Sequence, residues 1–213
     1  MRSLRYISFE GVEGSGKSTQ ARLFAESVGG VLTRENGGTP VGQRIRAITH
    51  DPDMAMSART ETLLFAADRA QHIDEVVLPA LGQGKFVASD RSLWSSVAYQ
   101  GYGRGLPVLE VERVSQWATD GTLPGIVFVL RVPHGVSKSR LASRRLDRIE
   151  QEGDEFFGRV SVGFDRMSAW AEGEWVYIDG DRPEREVADD ILRHVVRIFE
   201  REGVASELPA QLR

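Results

Sequence analysis

The chain has 213 residues, of which 41% are hydrophobic and 27% charged, and its formal net charge is −4. This length and composition predict one well-buried domain, the small negative charge gives no field that would attract a nucleic acid, and the lack of cysteine excludes a disulfide framework and a thiolate metal site. The N-terminus lacks a signal-peptide core and no apolar run reaches the ~18 residues of a membrane span, so we expect a cytoplasmic protein without a membrane partner.

The first predicted unit is a strand, a loop and a helix. Residues 6–10 have the apolar and aromatic character of a short buried strand, and residues 19–28 carry apolar side chains at helical spacing. Between them, residues 11–18 read GVEGSGKS and match the phosphate-binding pattern G-x-x-x-x-G-K-[ST]. In that pattern, backbone N–H groups curl around an anion while the lysine and the hydroxyl reach further phosphates and Mg²⁺. This order of elements predicts a nucleoside triphosphate site.

The rest of the chain continues to alternate strands with helices. Further strands are predicted at residues 31–33, 85–90, 125–130 and 174–178, and helices at residues 41–48, 60–81, 92–99, 108–119, 156–171 and 185–199. Parallel strands need crossover connections, which are usually helical. The pattern therefore predicts an α/β fold of three layers, α/β/α, around a five-stranded parallel sheet. The nearly all-apolar segment 125–130 is expected at the centre of that sheet.

Other segments are expected to be loose or exposed. Residues 100–105 predict a flexible glycine-rich loop, and residues 205–213 predict a loose tail. Ser57 is placed to cap the helix predicted at residues 60–81. The four histidines are scattered, and each is expected at the surface or as a helix cap. They are His50, His72, His134 and His194.

Two features indicate where phosphate chemistry would occur. Asp90 ends the predicted strand 85–90, at the edge where nucleotide-binding α/β sheets hold a Mg²⁺-associated aspartate. A basic run between residues 131 and 148 is usually a solvated helical face, but arginines beside a triphosphate can also close over it. We therefore expect a short mobile arginine-rich lid at about residues 144–153. The run consists of Arg131, Lys138, Arg140, Arg144, Arg145 and Arg148.

The phosphate loop alone does not separate a kinase from a GTPase, a motor or a transporter ATPase. A GTPase would need a guanine-specificity segment of the Asn-Lys-x-Asp type, which does not occur in the sequence. Polar and aromatic groups instead accompany the elements that follow three strands, among them Arg34, Phe65, Arg69 and Arg91. This second set predicts a second small ligand beside the triphosphate.

Five segments, taken together and in order, resemble the bacterial thymidylate kinases. They read FEGVEGSGKST, TRENGGTP, LLFAADR, SDRSLWSSVAYQGYGRG and RRLDRIEQEGDEFF, and they extend from residue 9 to residue 157. The resemblance implies a single nucleoside monophosphate kinase domain that phosphorylates dTMP with ATP as co-substrate and Mg²⁺ as cofactor, and it implies a homodimer. A phosphate loop without arginine, together with arginines in the lid, is similar to the bacterial type within this family.

On the ATP side, the resemblance implies a loop that donates backbone N–H groups to phosphates. Lys17 would hold the β- and γ-phosphates, Ser18 would ligate Mg²⁺ and Arg144 would lie near the adenine. Lys17, Arg91 and Arg148 are expected to be catalytic, with Arg148 reaching the transferred phosphoryl group. The residues expected to bind ATP are Gly11, Val12, Glu13, Gly14, Ser15, Gly16, Lys17, Ser18, Thr19 and Arg144, with Ser18 and Asp90 at the metal.

For dTMP, the resemblance implies a phosphate grip and contacts to the sugar. Arg46 and Arg91 would grip the 5′-phosphate of the acceptor. Glu13 would face the 3′-hydroxyl, and Tyr99 would exclude a 2′-hydroxyl by its bulk. Glu35 would help to place the metal and its waters.

The thymine base would be held by a separate group of side chains. The resemblance implies that Phe65 stacks on the base, while Arg69, Ser96 and Gln100 hydrogen-bond its edge. By spacing alone, Phe65 could equally be an ordinary core residue, and Ser96 could satisfy backbone groups near a helix N-terminus.

The chain departs from the family pattern at three positions. Asn36 stands where proline is usual, often after a cis peptide bond, Ser92 replaces an aromatic or larger residue, and Phe164 stands where tyrosine is frequent.

Two other functions are also compatible with the residues. One is a kinase of the same fold for another pyrimidine nucleoside monophosphate, and the other is an NTPase that binds a protein partner and uses hydrolysis as a switch.

Overall fold

The computed structural model describes residues 2–142 and 145–213, which contain one five-stranded parallel sheet. The strands are Arg2–Glu10 (β1), Val31–Arg34 (β2), Val87–Asp90 (β3), Leu123–Arg131 (β4) and Glu174–Asp179 (β5). They lie in the order β2-β3-β1-β4-β5, and every neighbouring pair is parallel. The carboxyl ends of the strands therefore meet at one edge of the sheet, where open α/β folds bind ligands.

Helices connect the strands and cover both faces of the sheet. They are Lys17–Val28 (α1), Pro40–Thr49 (α2), Ala58–His72 (α3), Leu78–Gly82 (α4), Leu93–Ser96 (α5), Val108–Ala118 (α6), His134–Leu141 (α7), Asp154–Met167 (α8) and Glu184–Arg201 (α9). Side chains of α1 and α9 pack over one face, and those of α5 and α8 pack over the other. The predicted three-layer α/β/α fold is confirmed. No helix in the described part of the chain combines the length and apolar character needed to cross a membrane.

Strand β4 shows how the sheet is covered. Phe128 and Leu130 belong to the core under α1 and α9, whereas Val127 and Val129 belong to the core under α8. The two sets alternate because successive side chains of a strand point to opposite faces. The prediction that this strand is the central one is wrong. β1, which is buried from Tyr6 to its end, lies between β3 and β4 and occupies the centre.

The helix predicted at residues 60–81 is largely as expected. It begins at Ala58, where the Ser57 hydroxyl accepts a hydrogen bond from the Thr60 N–H group at 3.2 Å, as predicted for the cap. A π-helical segment, Ile73–Val77, then joins α3 to α4. A wider turn of this kind is often found near functional sites.

The prediction of a flexible loop at residues 100–105 is wrong. The segment Val97–Gly103 is π-helical and continues α5, and Gln100, Gly101 and Gly103 are buried. A Cβ atom at Gly103 would lie 2.7 Å from the ring of Phe156 on α8. Glycine therefore serves close packing against α8 here, because any larger side chain would collide with that ring.

The loose tail predicted at residues 205–213 is also wrong. The segment contains two short 3₁₀ turns, Ala205–Glu207 and Ala210–Leu212. Between them, Leu208 is 1% exposed and belongs to the core that includes Phe199 of α9. Burial of this apolar side chain holds the C-terminal residues against the domain.

Candidate active site

The phosphate loop connects the end of β1 to the start of α1. Gly11 has φ +135°, and a Cβ atom there would lie 2.5 Å from the Leu130 carbonyl oxygen, so glycine is required for the close approach. Lys17 folds back over the loop and donates a hydrogen bond to the Val12 carbonyl at 3.2 Å. Burial lowers the pKa of the Lys17 ammonium group, and the nearby Arg91 guanidinium lowers it further.

The residues predicted to hold Mg²⁺ lie side by side. The Ser18 hydroxyl donates a hydrogen bond to Oδ2 of Asp90, at the carboxyl end of β3. The other oxygen, Asp90 Oδ1, is buried without a hydrogen-bond partner among the described residues. A buried acceptor of this kind needs a donor or a cation, and a carboxylate beside a serine hydroxyl suits Mg²⁺. Because the described residues contain no group of three or more histidine, cysteine or acidic side chains that could hold a metal ion, the ion would also need phosphate and water ligands.

Cations converge on a polar cavity of about 220 Å³ above this pair. Its wall contains Lys17, Arg46 and Arg91, which were predicted to bind phosphate groups, and Arg34, which was expected beside the second ligand. Arg34 ends β2 and so lies at the same edge of the sheet as Asp90. The same wall also contains five carboxylates, so it offers cationic groups for phosphates beside acidic groups that suit a metal ion. The five are Glu13, Glu35, Asp90, Asp147 and Glu150.

Arg91 connects the phosphate loop to the elements after β3. It has φ +77°, an uncommon conformation for a residue with a side chain and one found more often at functional sites. Its guanidinium donates hydrogen bonds to Glu13 at 2.6 Å, to Ser95 Oγ at 2.9 Å and to the Tyr99 hydroxyl at 3.1 Å. The Tyr99 hydroxyl donates in turn to Glu13 at 2.8 Å, and burial raises the pKa of this phenol. The side chains of Glu13, Arg91 and Tyr99 thus form one hydrogen-bonded group.

All nine residues predicted to bind dTMP line a second cavity, next to the first. They are Glu13, Glu35, Arg46, Phe65, Arg69, Arg91, Ser96, Tyr99 and Gln100. Ser95, which was expected beside the second ligand, also lies in this wall. Sequence reasoning missed other parts of it, namely Asn36, His50, Ser92, Asp147 and Ile149. Glu35, Arg46 and Arg91 are among the residues that line both cavities, so the two spaces adjoin at these side chains.

Arg69 is held by protein groups behind the second cavity. It is 2% exposed, its Nε donates to Glu35 at 2.8 Å, and its other nitrogens donate to Ser96 Oγ at 2.9 Å and Ser115 Oγ at 3.3 Å. Burial alone would raise the pKa of the Glu35 carboxyl, but the Arg69 charge and a His72 hydrogen bond outweigh it and hold this pKa below its ordinary value. The role of Arg69 at the base edge stays a prediction.

His72 corrects the expectation that every histidine is a surface or capping residue. It is completely buried, with Nδ1 3.1 Å from Glu35 Oε1 and Nε2 2.7 Å from Thr33 Oγ1. Its place one helical turn from Arg69 on α3 puts both side chains on the face that meets Glu35. The helical spacing of residues 69 and 72 was the signal that could have revealed this.

A buried carboxyl group lies behind Arg91. Glu10 accepts hydrogen bonds from the hydroxyls of Ser92 at 2.7 Å and Ser95 at 2.6 Å. Burial raises the pKa of Glu10 to about 7, although these two hydrogen bonds act in the opposite direction. Ser92, one of the departures from the family pattern, thus contacts a carboxyl group at the end of β1.

The basic segment contains contacts that the sequence did not predict. Arg148 Nε donates to the Thr49 carbonyl at 2.8 Å, and its guanidinium lies 2.7 Å from the buried carboxylate of Glu61. Arg140 donates to the carbonyls of Gly14 at 3.1 Å and Gly180 at 3.3 Å. Arg144, predicted near the adenine, lies outside the described residues, and the mobility of the lid stays a prediction.

A third cavity, of about 200 Å³, lies on the other side of the phosphate loop. Ser15, Gly16 and Thr19 form one wall, while Arg140 and Arg182 form another. Arg182 follows β5, so it comes from the same edge of the sheet as the loop. This space is large enough to receive part of a nucleotide whose phosphates lie on the loop.

The parallel sheet, the phosphate loop at its carboxyl edge and the adjoining cavity for a second ligand define a phosphate-loop nucleotide-binding enzyme of the nucleoside monophosphate kinase class. The family profile described as thymidylate kinase matches residues 9–191. The chain belongs to the thymidylate kinase family.

Curated relatives cover nearly the whole chain. It is 43% identical over 204 residues to the thymidylate kinase of Halothermothrix orenii, with 92% of this chain and 97% of that protein covered. It is 42% identical over 204 residues to the thymidylate kinase of Pelotomaculum thermopropionicum, with coverages of 92% and 94%. The crystal structure of thymidylate kinase from Ehrlichia chaffeensis is similar with a TM-score of 0.72 and 28% identity, covering 89% of this chain and 97% of that one.

Proposed function

We propose that this chain transfers the γ-phosphoryl group of ATP to dTMP, giving ADP and dTDP. The observation that carries the proposal is the pair of adjoining cavities, one above Lys17 and the Ser18–Asp90 pair, the other lined by all nine residues predicted for dTMP. Arg46 and Arg91 belong to both walls, so an acceptor phosphate between them would face the donor phosphates. The relatives named thymidylate kinase support the identity of the acceptor.

The transfer would be an in-line displacement at the γ-phosphorus. An oxygen of the dTMP phosphate forms the new P–O bond, while the bond from the γ-phosphorus to the β–γ bridging oxygen breaks and ADP leaves. The acceptor oxygen is already anionic, so the reaction needs no strong general base, and catalysis consists of alignment and charge neutralisation. Lys17 and Arg91 would supply positive charge at the moving group, and Arg148 would approach it from the lid.

Ser18 and Asp90 would hold Mg²⁺, which would neutralise charge on the ATP phosphates when bound. The Oδ1 atom of Asp90, which has no hydrogen-bond partner in the described part of the chain, supports this placement. Glu35, close to Arg69 and His72, would act on the metal through water, since its carboxylate is already occupied by these two side chains.

The ATP base would enter the third cavity. Gly11, Val12, Glu13, Gly14, Ser15, Gly16 and Thr19 would contribute the loop and the start of α1, as the resemblance implies. Arg140 and Arg182 in the wall of this cavity support a stacked or hydrogen-bonded adenine there. We expect the reaction to occur in the cytoplasm.

The thymine base would enter the cavity beside Phe65. The ring of Phe65 would stack on the base, while Ser96, Gln100 and Arg69 would contact its edge. Tyr99, fixed by Glu13 and Arg91, would close against the sugar. The adjacency of these side chains in one wall supports a flat base with hydrogen-bonding edges as the occupant.

We also propose that the active protein is a homodimer. Leu63 on α3 and Leu109 and Trp117 on α6 are 60%, 64% and 84% exposed, although α3 and α6 lie in contact with each other. Large apolar side chains on adjacent helices form the kind of patch that a second copy would cover. Light scattering of the wild-type chain and of Trp117→Ser would test this, with a dimer expected only for the wild type.

An acceptor panel tests the proposed function. Purified chain, ATP and Mg²⁺ are combined with dTMP, dUMP, dCMP or no acceptor, and ADP formation is followed. Preference for dTMP supports the proposal. If another pyrimidine nucleotide is preferred, that nucleotide replaces dTMP as the proposed substrate. Equal hydrolysis with and without acceptor would instead support the NTPase alternative.

A further inference from the structure

Asn36 has both ends of its side-chain amide occupied. The residue is 1% exposed and lies between β2 and α2. Its Nδ2 donates to Thr49 Oγ1 at 2.8 Å, and its Oδ1 accepts from Arg46 at 3.1 Å. The same Arg46 nitrogen donates to the Asn36 backbone carbonyl at 3.3 Å. Asn36 thus contacts two residues in the last turn of α2, Arg46 and Thr49.

The contact to Arg46 determines how this guanidinium is presented. Arg46 belongs to the walls of both cavities, and its side chain is only partly buried. A long arginine side chain loses rotamer freedom when it binds an anion, and this loss opposes binding. Because the guanidinium is planar, holding one terminal nitrogen on two oxygens of Asn36 also limits the directions of the other donors.

The contact to Thr49 extends the connection to a second arginine. The Thr49 carbonyl accepts from Arg148 Nε at 2.8 Å, and Thr49 Oγ1 lies 3.0 Å from Nδ1 of His50. Burial and the charge of Arg46 hold the pKa of His50 at about 3, so this imidazole is neutral and adds no charge beside the arginines. The end of α2 is therefore where the acceptor cavity and the Arg148 segment meet.

We propose that the Asn36 side chain is a positioning residue for the acceptor phosphate, acting through Arg46 and anchored by Thr49. Proline, the residue that the family pattern usually has here, retains the backbone carbonyl but has no amide to accept from Arg46 or donate to Thr49. This contact is thus a feature of the present chain. The inference deepens the proposed dTMP kinase function and rests on it.

The test compares Asn36→Ala and Thr49→Val with the wild type. Asn36→Ala should raise the KM for dTMP about three- to tenfold, because a hydrogen bond that orients a charged donor is lost, and should leave the KM for ATP unchanged. Thr49→Val, which keeps the shape, should raise the KM for dTMP about two- to threefold. Arg44→Ala, at an exposed arginine on the same helix, is the matched control and should match the wild type.

A double mutant separates positioning from general destabilisation. If Asn36 acts through Arg46, adding Asn36→Ala to Arg46→Ala should change the KM for dTMP by less than about twofold, because the group it orients is gone. Independent effects that multiply, or an unchanged KM for dTMP in a folded Asn36→Ala, would overturn the inference. If Asn36→Ala does not fold, an unchanged KM for dTMP in Thr49→Val overturns it. A wild-type chain inactive on dTMP would overturn the proposed function itself.

Discussion

Arg69 and Glu35 form a buried ion pair, with Arg69 Nε 2.8 Å from Glu35 Oε2 and side-chain exposures of 2% and 4%. One of these residues was predicted at the base edge and the other near the metal. The pair joins the two regions. Among the described residues, only Arg69 contacts the Glu35 carboxylate with a guanidinium, so a change in Arg69 also affects the residue predicted near the metal.

Arg69→Ala should lower kcat/KM for dTMP about ten- to a hundredfold, because a buried hydrogen bond from a charged donor is lost, while ATP affinity barely moves. It should also lower the free energy of unfolding by about 3–5 kcal/mol, since the buried Glu35 carboxylate loses its guanidinium partner and keeps only its contact with His72. Steady-state kinetics and urea unfolding measure the two effects, with exposed Arg59→Ala on α3 as control. Equal weakening of ATP and dTMP would show that α3 supports the fold and that the base is read elsewhere.

Lys17→Ala should lower kcat by about 10²–10³ with the fold intact, because one charge-stabilising contact to the transferred group is lost. Lys85→Ala, at an exposed lysine before β3, should retain wild-type activity. Kinetics and circular dichroism check the prediction. Wild-type turnover by Lys17→Ala would show that the loop at residues 11–18 does not take part in the transfer.

Arg91→Ala should raise the KM for dTMP and lower kcat together, with kcat/KM falling about a hundredfold. The change removes a phosphate contact and also releases Glu13 and Tyr99, so the acceptor loses its in-line geometry. The control is Arg113→Ala on the exposed side of α6. An unchanged KM for dTMP would exclude Arg91 from the acceptor site.

Asp90→Asn should raise the Mg²⁺ concentration needed for half-maximal activity about 10–100-fold, because a carboxylate beside Ser18 is lost. A chelator should abolish wild-type activity, and excess Mg²⁺ should restore it. Titration of Mg²⁺ at saturating nucleotides measures the shift, with exposed Asp74→Asn as control. The same Mg²⁺ dependence in Asp90→Asn and the wild type would place the metal elsewhere.

Glu10 predicts a pH dependence of stability. Burial raises the pKa of Glu10 from 4.5 to about 7, so between these values the native chain retains a proton that the unfolded chain has released. The free energy of unfolding therefore falls as pH rises through this window, by about 3 kcal/mol. Glu10→Gln is neutral throughout and should lose this part of the dependence.

Urea unfolding at about pH 5 and pH 8 checks the Glu10 prediction. The free energy of unfolding of Glu10→Gln minus that of the wild type should be larger at pH 8 than at pH 5. The same difference between variant and wild type at both values would mean that Glu10 does not titrate in this range.

The parts of the fold that depend on local pattern could be predicted from the sequence. The alternation of strands and helices gave the sheet, and the spacing of Gly11, Lys17 and Ser18 gave the loop, because these signals lie within a few residues of each other. Gly103 shows what local pattern cannot provide. Its role depends on Phe156, which is distant in the sequence, so a glycine that serves packing was indistinguishable from one that serves flexibility.

The site could be predicted only as far as the family resemblance assigns roles to residues. It identified nine residues in the wall of the acceptor cavity, but not His50 or Asn36, whose roles depend on contacts across α2. Arg34 was visible as a cation after β2, but its position in the phosphate cavity needed the register of β2 against β3. The burial of His72 likewise depends on Thr33 of β2 and on Glu35, which are distant from it in the sequence, so the position of the histidine in the chain did not reveal it.

The most direct measurement of the central claim is the stoichiometry of transfer from γ-labelled ATP to dTMP by the purified wild-type chain, with products separated by chromatography. The proposed reaction predicts labelled dTDP and ADP in equal amounts, with no labelled inorganic phosphate beyond a background that is independent of dTMP. Labelled phosphate in place of labelled dTDP would contradict it.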